Sequence, residues 1–292
     1  MTAIIVFGGS GFIGSHVSDK LSDAGHNVTI FDNRPSSWLR SDQKIIIGDI
    51  TDIDKVQDAI KNNEVVYNYA ALSDINEAIN DPVKTVDINI KGNLNILEAC
   101  RINNINHYVY ASSVYVHSRE GSFYRCSKQA AESYIEEYQK IYGIKYSILR
   151  FGSLYGPRSD ESNAIYNIIT NAIKTGKIEY VGSEDSLREY IHVEDAAAAS
   201  VKALEEEFIN SSVILTGQEP MRVLDLLKMI AEILGYEEKS VSLINKKQPG
   251  HYIRTPYAVS SKLGKKYIPS MHVDLGQGLM QMINQIKDSD QK

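Results

Sequence analysis

The stretch AIIVFGGSGFIG, residues 3–14, joins a five-residue apolar run directly to three glycines spaced three apart, Gly8, Gly11 and Gly14. Few folds accept that junction. The apolar run reads as a buried strand, and residues 12–24 carry a helical pattern that Gly25 can stop. Gly8 allows the tight turn between them, Gly11 lets backbone approach a bound group, and Gly14 lets helix and strand pack closely. A helix opening there aims its free N–H groups and positive dipole end at the turn, which suits a pyrophosphate.

The same rhythm continues. Apolar runs at 28–31, 44–47, 65–68, 107–111 and 146–150 alternate with helical patterns near 52–62, 84–103 and 124–142. The runs are apolar almost throughout, as strands are when both faces are covered. The alternation predicts an α/β fold, a Rossmann-type doubly wound parallel sheet, with residues 1–152 as its nucleotide-binding domain. After Arg150 the rhythm weakens. Loops such as GSLYGPRSDESN (152–163) and GSEDSLREY (182–190) precede a strand near 213–216 and a helix near 222–234. Residues 153–292 are therefore expected to form mostly a smaller, C-terminal substrate-binding region, with 189–216 returning to the first domain. The last residues, DSDQK, read as a frayed tail.

Composition narrows the function classes. The net charge of −6 argues against a nucleic-acid backbone or an anionic membrane as partner. Two cysteines, Cys100 and Cys126, are too few for a disulfide framework, and a reducing cytoplasm fits. The seven histidines include no His-x-x-x-His, so no metal site is expected. The N-terminal run reads as a strand rather than a signal peptide, and no apolar stretch approaches the ~20 residues that span a bilayer.

Asp32 ends the second strand, where a carboxylate can bind the adenosine ribose hydroxyls. It would repel a 2′-phosphate, which favours NAD over NADP. Arg34 is either surface charge or a group that tolerates such a phosphate. In GSFYRCSKQAAE (121–132), Tyr124 and Lys128 lie four residues apart and leave one helix face together. That pair alone does not separate proton-transfer chemistry from two surface residues in line.

The surrounding motifs carry a resemblance. The glycine spacing, YASS at the fifth strand end, and Tyr-x-x-x-Lys together resemble the extended short-chain dehydrogenase/reductase family, in its branch of nucleotide-sugar epimerases and dehydratases. GDITD (48–52), NYAAL (68–72), DINIKGNLNILEACR (87–101), LRFGSLYGPR (149–158) and REYIHVEDAAAA (188–199) are similar to further family segments in the same order. The resemblance implies a Ser–Tyr–Lys triad of Ser113, with Ser112 as the alternative, Tyr124 and Lys128. It extends the cofactor set to Phe12, Ile13, Asn33, Asp49, Ile50, Ala70, Ala71, Asn89 and Phe151. It places Ser112, Ser153, Asn163, Arg188 and Arg254 on the substrate side. Arg188 suits a diphosphate through a bidentate, charge-assisted contact, or it pairs with a neighbouring acid such as Glu189. A free phenol, with a pKa of ~10, is a poor base at neutral pH. The Lys128 ammonium and a cationic nicotinamide are expected to favour the phenolate.

Departures from the family pattern narrow the reaction. Dehydratases of the family carry Asp-Glu just after the catalytic Ser/Thr; here Val114 and Tyr115 stand there. The decarboxylase glutamate and the 3,5-epimerase cysteine are missing too. A C4 epimerase working through a 4-keto intermediate remains, beside a 4-ketoreductase or dehydrogenase and a non-catalytic NAD-binding sensor or scaffold. The intact triad speaks against the last. Ser153 replaces an asparagine common in 4-epimerases, and the ten residues between Ser113 and Tyr124 are a shorter loop than relatives carry. The expected ligand is a nucleotide-diphosphate sugar, the pathway polysaccharide or glycan precursor synthesis, and the assembly a homodimer through the helices at 84–103 and 124–142.

Overall fold

The computed structural model describes residues 1–183, 185–246 and 250–256. The expected tail lies outside these residues, as does the C-terminal part of the expected substrate region. In chain order the elements are β1 (Ala3–Phe7), α1 (Phe12–Asp23), β2 (Asn27–Asp32), β3 (Lys44–Ile47), α2 (Ile53–Ile60), β4 (Val65–Asn68), α3 (Ile75–Asn80), α4 (Pro82–Val86), α5 (Asn93–Ile102), β5 (His107–Ser113), α6 (Ser122–Tyr142), β6 (Lys145–Phe151) and β7 (Ser153–Tyr155). There follow α7 (Ala164–Thr175), β8 (Ile178–Gly182), β9 (Leu187–Arg188), β10 (Tyr190–His192), α8 (Val193–Lys202), β11 (Ser211–Leu215), β12 (Met221–Arg222), α9 (Val223–Ile233) and β13 (Val241–Asn245).

Among the described residues, seven strands form one sheet in the order β11-β6-β5-β4-β1-β2-β3. Every pairing in it is parallel. This is the doubly wound Rossmann-type fold expected. Strand order reverses between β1 and β4, so the crevice opens at their carboxyl ends. Alternation inside β1 shows why both faces are closed. Ile4 and Val6 join one core with Val17 and Leu21 of α1 and Ala196 and Ala197 of α8. Ile5 and Phe7 join the other, with Val56 and Ile60 of α2, Ile96 and Leu97 of α5, and Ala131 and Ile135 of α6. A third, smaller core gathers Ala172, Ile178, Val223, Leu227, Ile230 and Ala231 from α7, β8 and α9. β11 pairs with β6 at one edge of the main sheet.

Three features differ from the sequence reading. The expected helix at 84–103 begins at Pro82 and contains a π-helical segment over Asp87–Gly92 before α5. Asn89 lies within this segment. The 164–202 stretch holds α7 and α8, which the loops on either side obscured. The short α3 starts at an Asp74 cap whose carboxylate accepts from the Glu77 amide.

A buried polar cluster lies under the crevice. The Tyr108 hydroxyl donates to Asn93 Oδ1 at 2.6 Å, and Asn68 Nδ2 donates to the Tyr108 oxygen at 2.9 Å. Asn68 Oδ1 accepts from the Ala70 amide at 3.1 Å, fixing the loop after β4. Buried polar groups that lose a partner are costly. Tyr108→Phe is expected to destabilise the fold by ~1–3 kcal/mol, read as a lower urea midpoint; an unchanged midpoint would rule the cluster's role out.

Candidate active site

The glycine turn is built as the spacing demands. Gly8 has φ +75, and a Cβ there would sit 2.5 Å from the Ala70 amide nitrogen. A Cβ on Gly14 would lie 2.2 Å from the Gly8 carbonyl oxygen. Both clashes are with backbone, which cannot move aside. Gly11 is the N-cap of α1, and no side chain caps that end. The first-turn N–H groups therefore face the crevice, ready for anionic oxygens.

The crevice is a cleft of about 770 Å³ running from Asp32 past the glycine turn to Tyr124 and Lys128. Every residue expected to touch the cofactor lines it, except Asn89. Asn89 is 2% exposed. Its amide nitrogen donates to the Leu72 carbonyl and to Ser127 Oγ, both at 2.9 Å, and its oxygen accepts from the Leu72 amide. Both amide hydrogens and one lone pair of the oxygen are engaged within the protein. It ties the loop after β4 to α6. At the other end, Asp32 Oδ2 accepts from the Ser10 amide at 2.9 Å, which holds the carboxylate beside the turn. Arg34 is exposed and also lines the cleft.

β5 and α6 bring the reacting groups together. Parallel register sets Ser112 opposite Arg150 and Ser113 opposite Phe151. Ser112 donates to Glu132 Oε1 at 2.5 Å and is 3% exposed. Ser112 also lines the cleft, with its hydroxyl engaged by Glu132. Ser113 accepts from the Tyr115 amide and hydrogen-bonds the Tyr124 hydroxyl. The geometry thus separates two serines that sequence alone left open.

Tyr124 and Lys128 share one helix face, and the Lys128 Nζ lies 5.7 Å from the Tyr124 ring centre. The Nζ donates to the Ala111 carbonyl at 2.7 Å and sits 4.7 Å from the Tyr110 ring centre. Burial pulls the Lys128 amine down to about 7, with the Glu132 charge opposing. Burial likewise pushes the Tyr124 phenol up to about 12, with the Ser113 hydrogen bond pulling the other way. Without the cofactor, burial works against both the phenolate and the ammonium.

The substrate-side residues are scattered. Asn163 lines the cleft but caps α7, its oxygen accepting from the Ile165 and Tyr166 amides and its nitrogen donating to the Leu154 carbonyl. The expected diphosphate contact thus meets an amide already engaged at both ends. Ser153, Arg188 and Arg254 do not line the cleft. Ser153 belongs to β7, opposite Tyr190 of β10. Arg188 stacks over the Tyr252 ring at 4.4 Å and donates to the Leu187 and Ile253 carbonyls. Arg254 is exposed.

Sequence reasoning missed a strap. Gly121 donates to the Gly250 carbonyl and Leu187 donates to the Ile253 carbonyl, which seats residues 250–253 beside the short loop. Tyr115 packs against Tyr252 at 4.7 Å and edge-on to Tyr124 at 6.3 Å. Its hydroxyl lies 3.3 Å from His251 Nδ1. The aromatic cluster in GHYIR was a readable signal, but its long-range partner was not.

Three comparisons bear on this geometry. The profile of the NAD dependent epimerase/dehydratase family matches residues 4–214. A putative UDP-glucose 4-epimerase of Methanocaldococcus jannaschii is 30% identical over 98% of this chain and 99% of its own. A dTDP-glucose 4,6-dehydratase of Mycolicibacterium smegmatis is 26% identical, over 96% and 92%. Among solved structures, the UDP-glucose 4-epimerase of Thermus thermophilus complexed with NAD is 28% identical. Its TM-score is 0.79, over 88% of this chain and 90% of that one.

Gly14→Ala is expected to weaken NAD binding roughly tenfold or more by forcing α1 off the turn. Calorimetric titration of the variant checks this; wild-type affinity would show that the turn is not the phosphate cradle.

Proposed function

This chain belongs to the NAD dependent epimerase/dehydratase family, its cofactor is NAD, and we propose that it is a nucleotide-sugar 4-epimerase. The observation that carries this reading is the meeting of Ser113, Tyr124 and Lys128 at the end of the cleft that begins with the glycine turn. The chemistry that bound NAD would supply is reversible hydride acceptance at C4. Ser113 hydrogen-bonds the reacting C4 oxygen. Tyr124 takes the proton from that hydroxyl as the carbon is oxidised, and gives it back once the 4-keto sugar has presented its other face. Lys128 holds the nicotinamide ribose, and its ammonium lowers the cost of the phenolate. Gly8, Gly11 and Gly14 make room for the pyrophosphate, and Asp32 accepts from the adenosine ribose.

Elimination of water next to the ketone needs an acid and a base beside the sugar. Val114 and Tyr115 follow Ser113, and neither offers a carboxyl group. Similarity to relatives named as 4-epimerases supports the same choice. In this reading the product feeds glycan or polysaccharide precursor synthesis. Among the described residues, no helix is long and apolar enough to cross a membrane.

The test starts with the purified, denatured protein, whose released nucleotide is identified by mass spectrometry. Near-stoichiometric NAD is expected, because an epimerase regenerates its cofactor in place. An empty site, or NADPH taken up only when offered, would move the assignment to a ketoreductase. Tyr124→Phe is expected to lower epimerase turnover ~10²–10⁴-fold with the nucleotide retained.

We also propose a homodimer through α5 and α6. Ile102, Tyr134, Ile141 and Tyr142 expose apolar surface there, Ile141 at 67%. Light scattering after gel filtration should give twice the chain mass; a monomer at micromolar concentration would refute the interface.

A further inference from the structure

Lys128 is 3% exposed, yet the proposed chemistry needs its amine charged. Resting on that reading of Lys128, we propose that Glu132 is a positioning residue whose carboxylate, held by Arg150 and Ser112, keeps the Lys128 ammonium charged beside Tyr124. Glu132 follows Lys128 by one helical turn, so the two side chains leave the same face of α6. It is itself 7% exposed. Its two oxygens are fixed from two strands. Arg150 of β6 grips them as a fork, Nε to Oε1 at 3.0 Å and Nη2 to Oε2 at 2.7 Å. Ser112 of β5 adds the third bond.

A buried ammonium needs compensation. The Ala111 carbonyl and the Tyr110 ring face supply partial charge from β5. Tyr124 supplies a neutral phenol from α6. Glu132 alone among these neighbours brings a full negative charge, and it opposes the downward pull of burial on Lys128. The other charged or titratable groups around α6 are engaged elsewhere. His117 lies 3.3 Å from Arg150 Nη1, and Tyr146 stands on β6 near Arg150 and Glu132. Glu77 of α3 and Lys84 of α4 pair with each other, and Glu98 of α5 bonds Arg101 and Tyr138 farther along the helix. The π segment brings the uncharged contact from Asn89 to Ser127, and its charged residues, Asp87 and Lys91, are exposed.

The same carboxylate also sets geometry. Ser112 and Arg150 flank Ser113 and Phe151 in register, so one side chain ties together the strand ends that carry both and the helix that carries Tyr124 and Lys128. A purely structural ion pair would do the tying without touching the proton on Lys128. That difference is what the test reads.

The experiment is competitive trace acetylation of the full-length chain with acetic anhydride across pH, with each lysine followed by peptide mass spectrometry. Only the neutral amine reacts, so the labelling midpoint reports the amine directly. Glu132→Gln keeps an acceptor for Ser112 and Arg150 but removes the charge. It also leaves the Arg150 charge unbalanced, and both effects disfavour an ammonium. The Lys128 midpoint is expected to fall by about one pH unit, the lower end of what loss of a nearby opposite charge gives. The other lysines should stay put. The alkaline limb of turnover should move down by the same amount. The double variant Glu132→Gln with Arg150→Gln replaces the ion pair by an amide pair, and serves if the single variant does not fold. It should shift Lys128 the same way. An unchanged Lys128 midpoint in either folded variant overturns the proposal. Because labelling needs no turnover, absence of epimerase activity in the wild type would sink the functional reading and leave the Glu132 result intact.

Discussion

A parallel sheet buried on both faces cannot use water to satisfy its backbone, so all its exposed polarity gathers at the two strand ends. Here that constraint organises everything else. β1, β4, β5 and β6 all deliver their carboxyl ends to one edge. That edge carries the glycine turn after β1, the Ala70 loop after β4, Ser113 after β5 and Phe151 at the end of β6. The reversal of strand order between β1 and β4 opens the crevice at this edge. The cleft is a consequence of covering the sheet, not an addition to it.

Covering the sheet also makes the chemistry difficult. Tyr124 and Lys128 are placed in a dry setting, where a phenolate and an ammonium are both disfavoured. Around them the fold sets one carbonyl, one ring face, one hydroxyl and one carboxylate. Each comes from an element already fixed by apolar packing: Ala111 and Tyr110 from β5, Ser113 from its end, Glu132 from α6. Rigid strands and a 21-residue helix hold such groups more exactingly than loops do. The strap at 250–253 bonds Gly121, and its Tyr252 packs on Tyr115, which meets Tyr124 edge-on.

Much of this was readable from local pattern. The glycine spacing, the apolar strands and the placement of Tyr124 and Lys128 rest on interactions within one turn or one strand, which a sequence encodes directly. Asn89 was not readable in the same way. Its chemistry suits a ligand, but its amide bonds Leu72 and Ser127. Asn163 suits a diphosphate equally well, yet the start of α7 takes its amide as a cap. In both, a polar side chain met a backbone need that no short window displays.

The sequence by itself determined the alternation of strands and helices, the glycine turn and the helical spacing of Tyr124 and Lys128, because each follows from steric limits and periodicity over a few residues. Only the tertiary structure decided which serine faces Tyr124, where Arg188 rests and what surrounds Lys128. Those depend on strand register and on contacts between residues far apart in the chain: Ser112 with Glu132, Arg150 with Glu132, Arg188 with Tyr252. Burial sets the proton affinities, and burial belongs to the packed whole rather than to any segment of it.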